Sequence, residues 1–215
     1  MRRTPEQFLT RRSALTLAAA AALAPALARA APATKIVTML GDSITAGYGL
    51  AAGDALPAQL QLSLTRLGVA VKVRAAGVSG DTTAAGLARV GFSVQSDTNL
   101  CLVALGGNDL LQGLSVTEMR ANLTTIVRKL KARRIPVMLA GMRAPTVIGS
   151  RYARDYDAVF PSIAQAEHIA FYPWLLDGVG QTPGLNQRDG IHPNPAGVKI
   201  IAARLAPAVA RALKG

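Results

Sequence analysis

The chain has 215 residues, 50% of them hydrophobic and 17% charged, which suits one globular domain with a sizeable core and excludes a disordered chain. Its formal charge of +12 comes from cations scattered over many segments, and only 4% of the residues are aromatic. Neither a basic stripe nor a stacking platform for nucleic acid is therefore expected.

In chain order, Arg11-Arg12-Ser13 leads into an apolar run over residues 14–27, too short to span a bilayer comfortably, and then into Ala28-Arg29-Ala30, a small-x-small cleavage pattern. Residues 1–30 are read as a cleavable export signal, placing the protein in the periplasm or outside the cell. Thr10-Arg11-Arg12 hints at the twin-arginine route, and Pro25 argues against a retained anchor. Cleavage removes five basic residues and one acid and lowers the formal charge to +8. Residues 31–215 then form a single domain, since linker-like runs, heptads and repeats are absent.

Strand-length apolar runs at 35–40, 70–74, 100–105, 136–139 and 169–172 alternate with helical patterns at 55–67, 82–90, 116–134, 149–168 and 195–213. That alternation predicts an α/β domain, a parallel sheet covered by helices on both faces. Ser115-x-x-Glu118 reads as a capping box, and Pro195 stands at a first helical position. The cations at 128–134 close a predicted helix, where they favour its dipole and face solvent. Cys101, the only cysteine, lies within the third strand run and reads as a small buried hydrophobe rather than a nucleophile.

In open parallel sheets ligands bind beyond the carboxyl ends of the strands, so the residues after each strand carry the functional reading. The first strand run ends in Gly41-Asp42-Ser43-Ile44-Thr45-Ala46-Gly47, the second in Gly77-Val78-Ser79-Gly80-Asp81, the third in Gly106-Gly107-Asn108-Asp109, and the loop before the last helix carries Asp189-Gly190-Ile191-His192-Pro193-Asn194. Together they hold what acyl transfer needs: a nucleophile, a base, a group that orients the base, and donors for an oxyanion. Ser43 is the candidate nucleophile, at a glycine turn after a strand. Ser79 is its rival, although its surroundings lack the last glycine of a G-x-S-x-G elbow. His192 is the candidate base, with Asp189 fixing its tautomer. The other histidine, His168, follows Glu167 at a helix end just before a strand, where a surface or capping role fits. Oxyanion donors are sought in the backbone N–H groups of Ser43 and Gly80 and in the Asn108 amide. The two histidines lie 24 residues apart and outside any zinc spacing, so no metal and no cofactor is expected. Gly47-x-Gly49-x-x-x-Gly53 is a loosened dinucleotide fingerprint that starts too far beyond the strand to cradle a phosphate.

As an ordered set the four blocks resemble those of the SGNH or GDSL hydrolases. The similarity extends from about Lys35 to the final helix and is nearest to the bacterial periplasmic thioesterase I, protease I or lysophospholipase group and related arylesterases. The resemblance implies a three-layer α/β/α, flavodoxin-like fold with a five-stranded parallel sheet in the order 2-1-3-4-5. It assigns Ser43 as nucleophile over Ser79, with Asp189 and His192 completing the triad and Ser43, Gly80 and Asn108 forming the oxyanion hole. It places an acyl pocket beside residues 110–115, and Leu110, Leu111, Met142 and Pro145 are expected to contact substrate. Ala75 stands where relatives can carry an asparagine, so that residue's hydrogen bond is missing. The activity implied is a serine esterase acting on aryl, acyl, lysophospholipid or thioester substrates as a monomer, with at most transient contact with a membrane surface. The alternatives are a carbohydrate or cell-wall O-acetyl esterase and a noncatalytic lipid- or carbohydrate-binding protein of the same fold.

Overall fold

Five apolar runs become the strands of one parallel sheet in the computed structural model, which describes residues 33–214. The expected export signal at 1–30 lies outside the described residues. The elements run β1 Lys35–Gly41, α1 Ser43–Ala46, α2 Leu56–Arg66, β2 Val71–Gly77, α3 Thr83–Ser93, β3 Leu100–Ala104, α4 Gly107–Leu111, α5 Val116–Ala132, β4 Val137–Ala140, α6 Ser150–Asp157, α7 Val159–Glu167, β5 Ala170–Tyr172 and α8 Pro195–Ala212, with 3-10 turns at Ala52–Asp54 and Thr146–Ile148. No described helix is long and apolar enough to cross a membrane.

The sheet order is β2-β1-β3-β4-β5. Its central strand β3 is buried at every position, and β1 is buried from Val37 onward, as strands covered on both faces must be. α2 packs on α8, while α3 packs on α5 and α5 on α7, so two helical layers sandwich the sheet. Because the chain first moves outward from β1 to β2 and then returns to β3 on β1's other side, the strand order reverses there. A crevice opens at such a reversal, at the carboxyl ends of β1 and β3. Gly77 lets α1 settle over it, since a Cβ at this position would lie 2.4 Å from the Ala46 nitrogen.

One local expectation needs correction. The single helix expected over 149–168 is two helices, α6 and α7, meeting at Ala158. Pro161 explains the break: it has no N–H for the Asp157 carbonyl, although a proline is tolerated in the first turn of the helix that follows. The cations ending α5 face solvent as expected, and three of them also reach neighbouring acceptors. Arg128 donates to the Glu167 carboxylate at 2.7 Å, Lys131 to the Glu167 carbonyl at 2.7 Å, and Arg133 to the Val94 carbonyl at 2.6 Å. They tie α5 to the end of α7 and to the loop after α3. Cys101 is fully buried in β3, and burial pushes its thiol up to about 12.

Candidate active site

At the end of β1 the backbone turns at once into a single helical turn. Asp42 caps it, its Oδ1 accepting the Ile44 N–H at 3.0 Å, so the residue between them, Ser43, stands at the first helical position facing the crevice. Asp42 itself is 2% exposed, and burial raises its carboxyl to about 6, partly offset by the Ile44 N–H bond and by nearby His192.

The loop before α8 brings the base to Ser43. His192 Nε2 lies 2.8 Å from Ser43 Oγ, and His192 Nδ1 lies 2.6 Å from Asp189 Oδ2. The other carboxylate oxygen, Oδ1, accepts the backbone N–H groups of Ile191 at 2.9 Å and of His192 at 3.0 Å. The bond from the imidazole, followed by those two backbone bonds, holds the Asp189 carboxyl down at about 2, so it is ionised at neutral pH and can only accept. Nδ1 must then carry the proton, which leaves the Nε2 lone pair for the serine hydroxyl.

Residues outside the motifs pin this loop. Gln187 Nε2 donates to the Tyr48 carbonyl at 2.8 Å and to the Pro193 carbonyl at 3.1 Å, its backbone N–H donates to the His192 carbonyl at 2.7 Å, and the Tyr48 ring lies 4.7 Å from the imidazole at 38°. Asn194 closes the segment as the N-cap of α8, accepting from Ala196 and Gly197 at 3.0 Å each.

Gly80 is the third residue of a turn closed by the Asp81 N–H on the Val78 carbonyl at 3.2 Å, and its φ of +88° is the left-handed value a type II turn needs there. Ser79 occupies the same turn, exposed, and bonds to neither histidine. Asn108, on α4, donates one amide hydrogen to the Asp81 carbonyl at 2.9 Å and lines the crevice. Next to it, Asp109 is buried and accepts from the Thr83 N–H at 2.8 Å and the Thr83 hydroxyl at 2.5 Å, joining α4 to the start of α3. His168 caps α7 in the left-handed region at φ 52°, on the far side of β5 from the crevice.

The crevice opens beside Ser43 and His192 into a cleft of about 370 Å³. All four residues expected to meet substrate, Leu110, Leu111, Met142 and Pro145, line it. Sequence reasoning missed Ile44, Tyr156, Trp174, Leu176 and Ile191, which line it too. A signal existed for the chain's single tryptophan, which follows the end of β5 by two residues and so falls under the strand-end rule. Nothing local marked Tyr156, which reaches the cleft from α6 and donates to the Gly106 carbonyl at 2.9 Å. Arg143 lies 4.9 Å over the Trp174 ring at the mouth. Ala75 keeps its place in the ladder opposite Met39. Among the described residues no three His, Cys, Asp or Glu side chains gather as a metal site would require.

Residues 39–200 match the GDSL-like lipase/acylhydrolase family. The chain belongs to that family. It is 37% identical over 181 residues to Esterase TesA of Pseudomonas aeruginosa, a match covering 84% of this chain and 89% of that protein. It is 35% identical over 165 residues to the thioesterase 1/protease 1/lysophospholipase L1 of Escherichia coli K12, covering 76% and 78%. Among solved structures it is similar to AlinE4, an SGNH-hydrolase family esterase, with a TM-score of 0.70 and 43% identity over 84% of this chain and 97% of that one. The sheet order is the one expected of a GDSL hydrolase, and the four blocks singled out in the sequence all sit on the carboxyl rim of that sheet.

Proposed function

We propose that this GDSL hydrolase cleaves carboxylic esters through an acyl-enzyme on Ser43. The observation that carries the reading is the unbroken relay from Asp189 through His192 to Ser43 at the mouth of an apolar cleft. Ser43 Oγ attacks the ester carbonyl carbon while His192 Nε2 takes its proton. The tetrahedral adduct collapses, and the leaving alcohol departs with the proton that His192 returns. Water then attacks the acyl group with His192 again as base, releasing the acid and restoring the serine. The Ser43 and Gly80 N–H groups and the free hydrogen of the Asn108 amide serve the oxyanion.

The aliphatic and aromatic lining favours acyl and aryl groups over an acetyl group alone, because a short group leaves most of that surface unfilled. Aryl esters, lysophospholipids and acyl thioesters share that requirement and form the substrate class. The protein is read as acting exported from the cytoplasm, as a monomer that touches membrane surfaces only transiently. Ser43→Ala is expected to abolish hydrolysis of p-nitrophenyl esters, and a fluorophosphonate probe is expected to label Ser43. Full activity in that variant, or labelling at Ser79, overturns the reading.

A further inference from the structure

Behind the crevice an ion pair is buried that the hydrolytic relay does not use. Arg89, on α3, and Asp81, the residue after Gly80, are 9% and 8% exposed, and their side chains meet at 2.5 Å between Nε and Oδ2. Burying two charges costs more than an isolated pair returns unless the remaining donors are also satisfied. Here they are. One terminal nitrogen of Arg89 donates to the Ala76 carbonyl at 2.9 Å and to Ser93 Oγ at 3.1 Å, and the other donates to the Gly41 carbonyl at 2.8 Å.

Those carbonyls stand where β1 and β2 release the chain toward Ser43 and Gly80. Gly41 precedes Ser43 by two residues and Ala76 precedes Gly80 by four. Asp81 extends the brace to the third loop, because its backbone carbonyl accepts the Asn108 amide at 2.9 Å. An amide nitrogen carries two hydrogens, so fixing one on Asp81 directs the other. One guanidinium thus spans the ends of two strands and, through a single aspartate, the residue beside Gly80 and the amide of Asn108. A lysine keeps the charge but not the planar fork that makes four bonds in three directions.

We propose that the Arg89–Asp81 pair is the positioning element of the oxyanion site, holding the Gly80 N–H and the Asn108 amide in register with Ser43. This rests on the assignment of Ser43, Gly80 and Asn108 given above. The pair touches no substrate and acts only through those donors. Misplacing them weakens stabilisation of the tetrahedral adduct and leaves ground-state binding in the cleft intact.

The test compares Arg89→Lys, Asp81→Asn and Asn108→Ala, singly and as the Arg89→Lys/Asn108→Ala double variant, at a temperature where circular dichroism reports each folded. Both Arg89→Lys and Asp81→Asn are expected to lower kcat for p-nitrophenyl butyrate about tenfold to a hundredfold with KM within about twofold of the parent. Inhibition by a trifluoromethyl ketone, which forms the tetrahedral oxyanion on the serine, should weaken in proportion. In the Asn108→Ala background Arg89→Lys should cost much less than it does alone, because one of the donors it positions is gone. A kcat equal to the parent's in folded Arg89→Lys, a change confined to KM, or fully independent losses in the double variant overturns the proposal. These outcomes are separable from failure of the assignment itself. In that case fluorophosphonate labelling leaves Ser43 and Ser43→Ala stays active, whatever the Arg89 variants do.

Discussion

Single side chains at this site divide their work unequally. In the proposed mechanism His192 moves the proton while Asp189 fixes the ring, and Asp189 also holds the loop through the Ile191 and His192 N–H groups, bonds an asparagine oxygen can keep. His192→Ala is therefore expected to lower kcat by about 10⁵- to 10⁶-fold and Asp189→Asn by about 10³- to 10⁴-fold, the spacing seen when such residues act as a unit. Equal losses, measured in single-turnover assays, would refute that division. Asp42 makes a different prediction, one of stability. Its carboxyl sits at about 6 when folded against an ordinary 3.8, so the folded protein holds this proton more tightly than the unfolded chain. The resulting stability is fully present below pH 3.8 and is lost as pH rises through 6, amounting to about 3 kcal/mol by pH 7.5. Asparagine at position 42 caps α1 equally well and cannot ionise. Urea melts should find Asp42→Asn more stable than the parent at pH 7.5, by an amount that shrinks to nearly nothing at pH 4. A difference that does not change with pH defeats the explanation.

At the scale of elements, what was legible in the sequence is what has a period or a composition. The strands were readable because a parallel strand buried on both faces is an apolar run, and the observed β1 and β3 differ from the expected runs by one residue at one end and β4 by one residue at each end. α1 and α4, of four and five residues, are too short to carry a helical period, so the sequence placed Ser43 and Asn108 after strands without revealing that each stands on a helical turn. The split between α6 and α7 escaped because a proline signals a break only when its position relative to a helix start is known. That split matters for the cleft, because α6 points Tyr156 inward beneath it. The Tyr156 hydroxyl is buried on the Gly106 carbonyl, and burial raises its pKa well above the ordinary value. Tyr156→Phe removes one of that carbonyl's two donors and leaves the Leu110 N–H at 3.1 Å, so a loss of about 0.5–1.5 kcal/mol in stability is expected, with kcat for short esters falling less than tenfold because Gly106 only leads into α4. Unchanged denaturant midpoints would mean that the Leu110 N–H alone satisfies the carbonyl.

Across the whole molecule, the relay and the core depend on the same strand order. Ser43 and His192 are 149 residues apart and meet only because β1 lies beside β3 and the chain after β5 returns over the carboxyl rim. That meeting was legible from the sequence through the rule for strand ends, which also reaches Trp174 after β5, whereas Tyr156 on α6 carried no pattern of its own. A site assembled from every part of the sheet should be lost only when the sheet is lost. Cys101 offers a probe for this. It lies on β3, paired with Thr38 of β1 and Val137 of β4, and it is fully buried with its thiol pushed up to about 12. Disulfide exchange needs an exposed thiolate, so reagent reaches this sulfur only when the central strands separate. Under native conditions labelling by a dithiobis reagent is expected to be slower than in the denatured chain by at least about a thousandfold, the least that an ordinary folding free energy allows. Its rate should rise with urea along the same slope as global unfolding followed by circular dichroism, and activity should disappear over the same range. Labelling that proceeds without urea dependence, or activity lost well before the thiol opens, would show that the rim frays independently of the sheet beneath it.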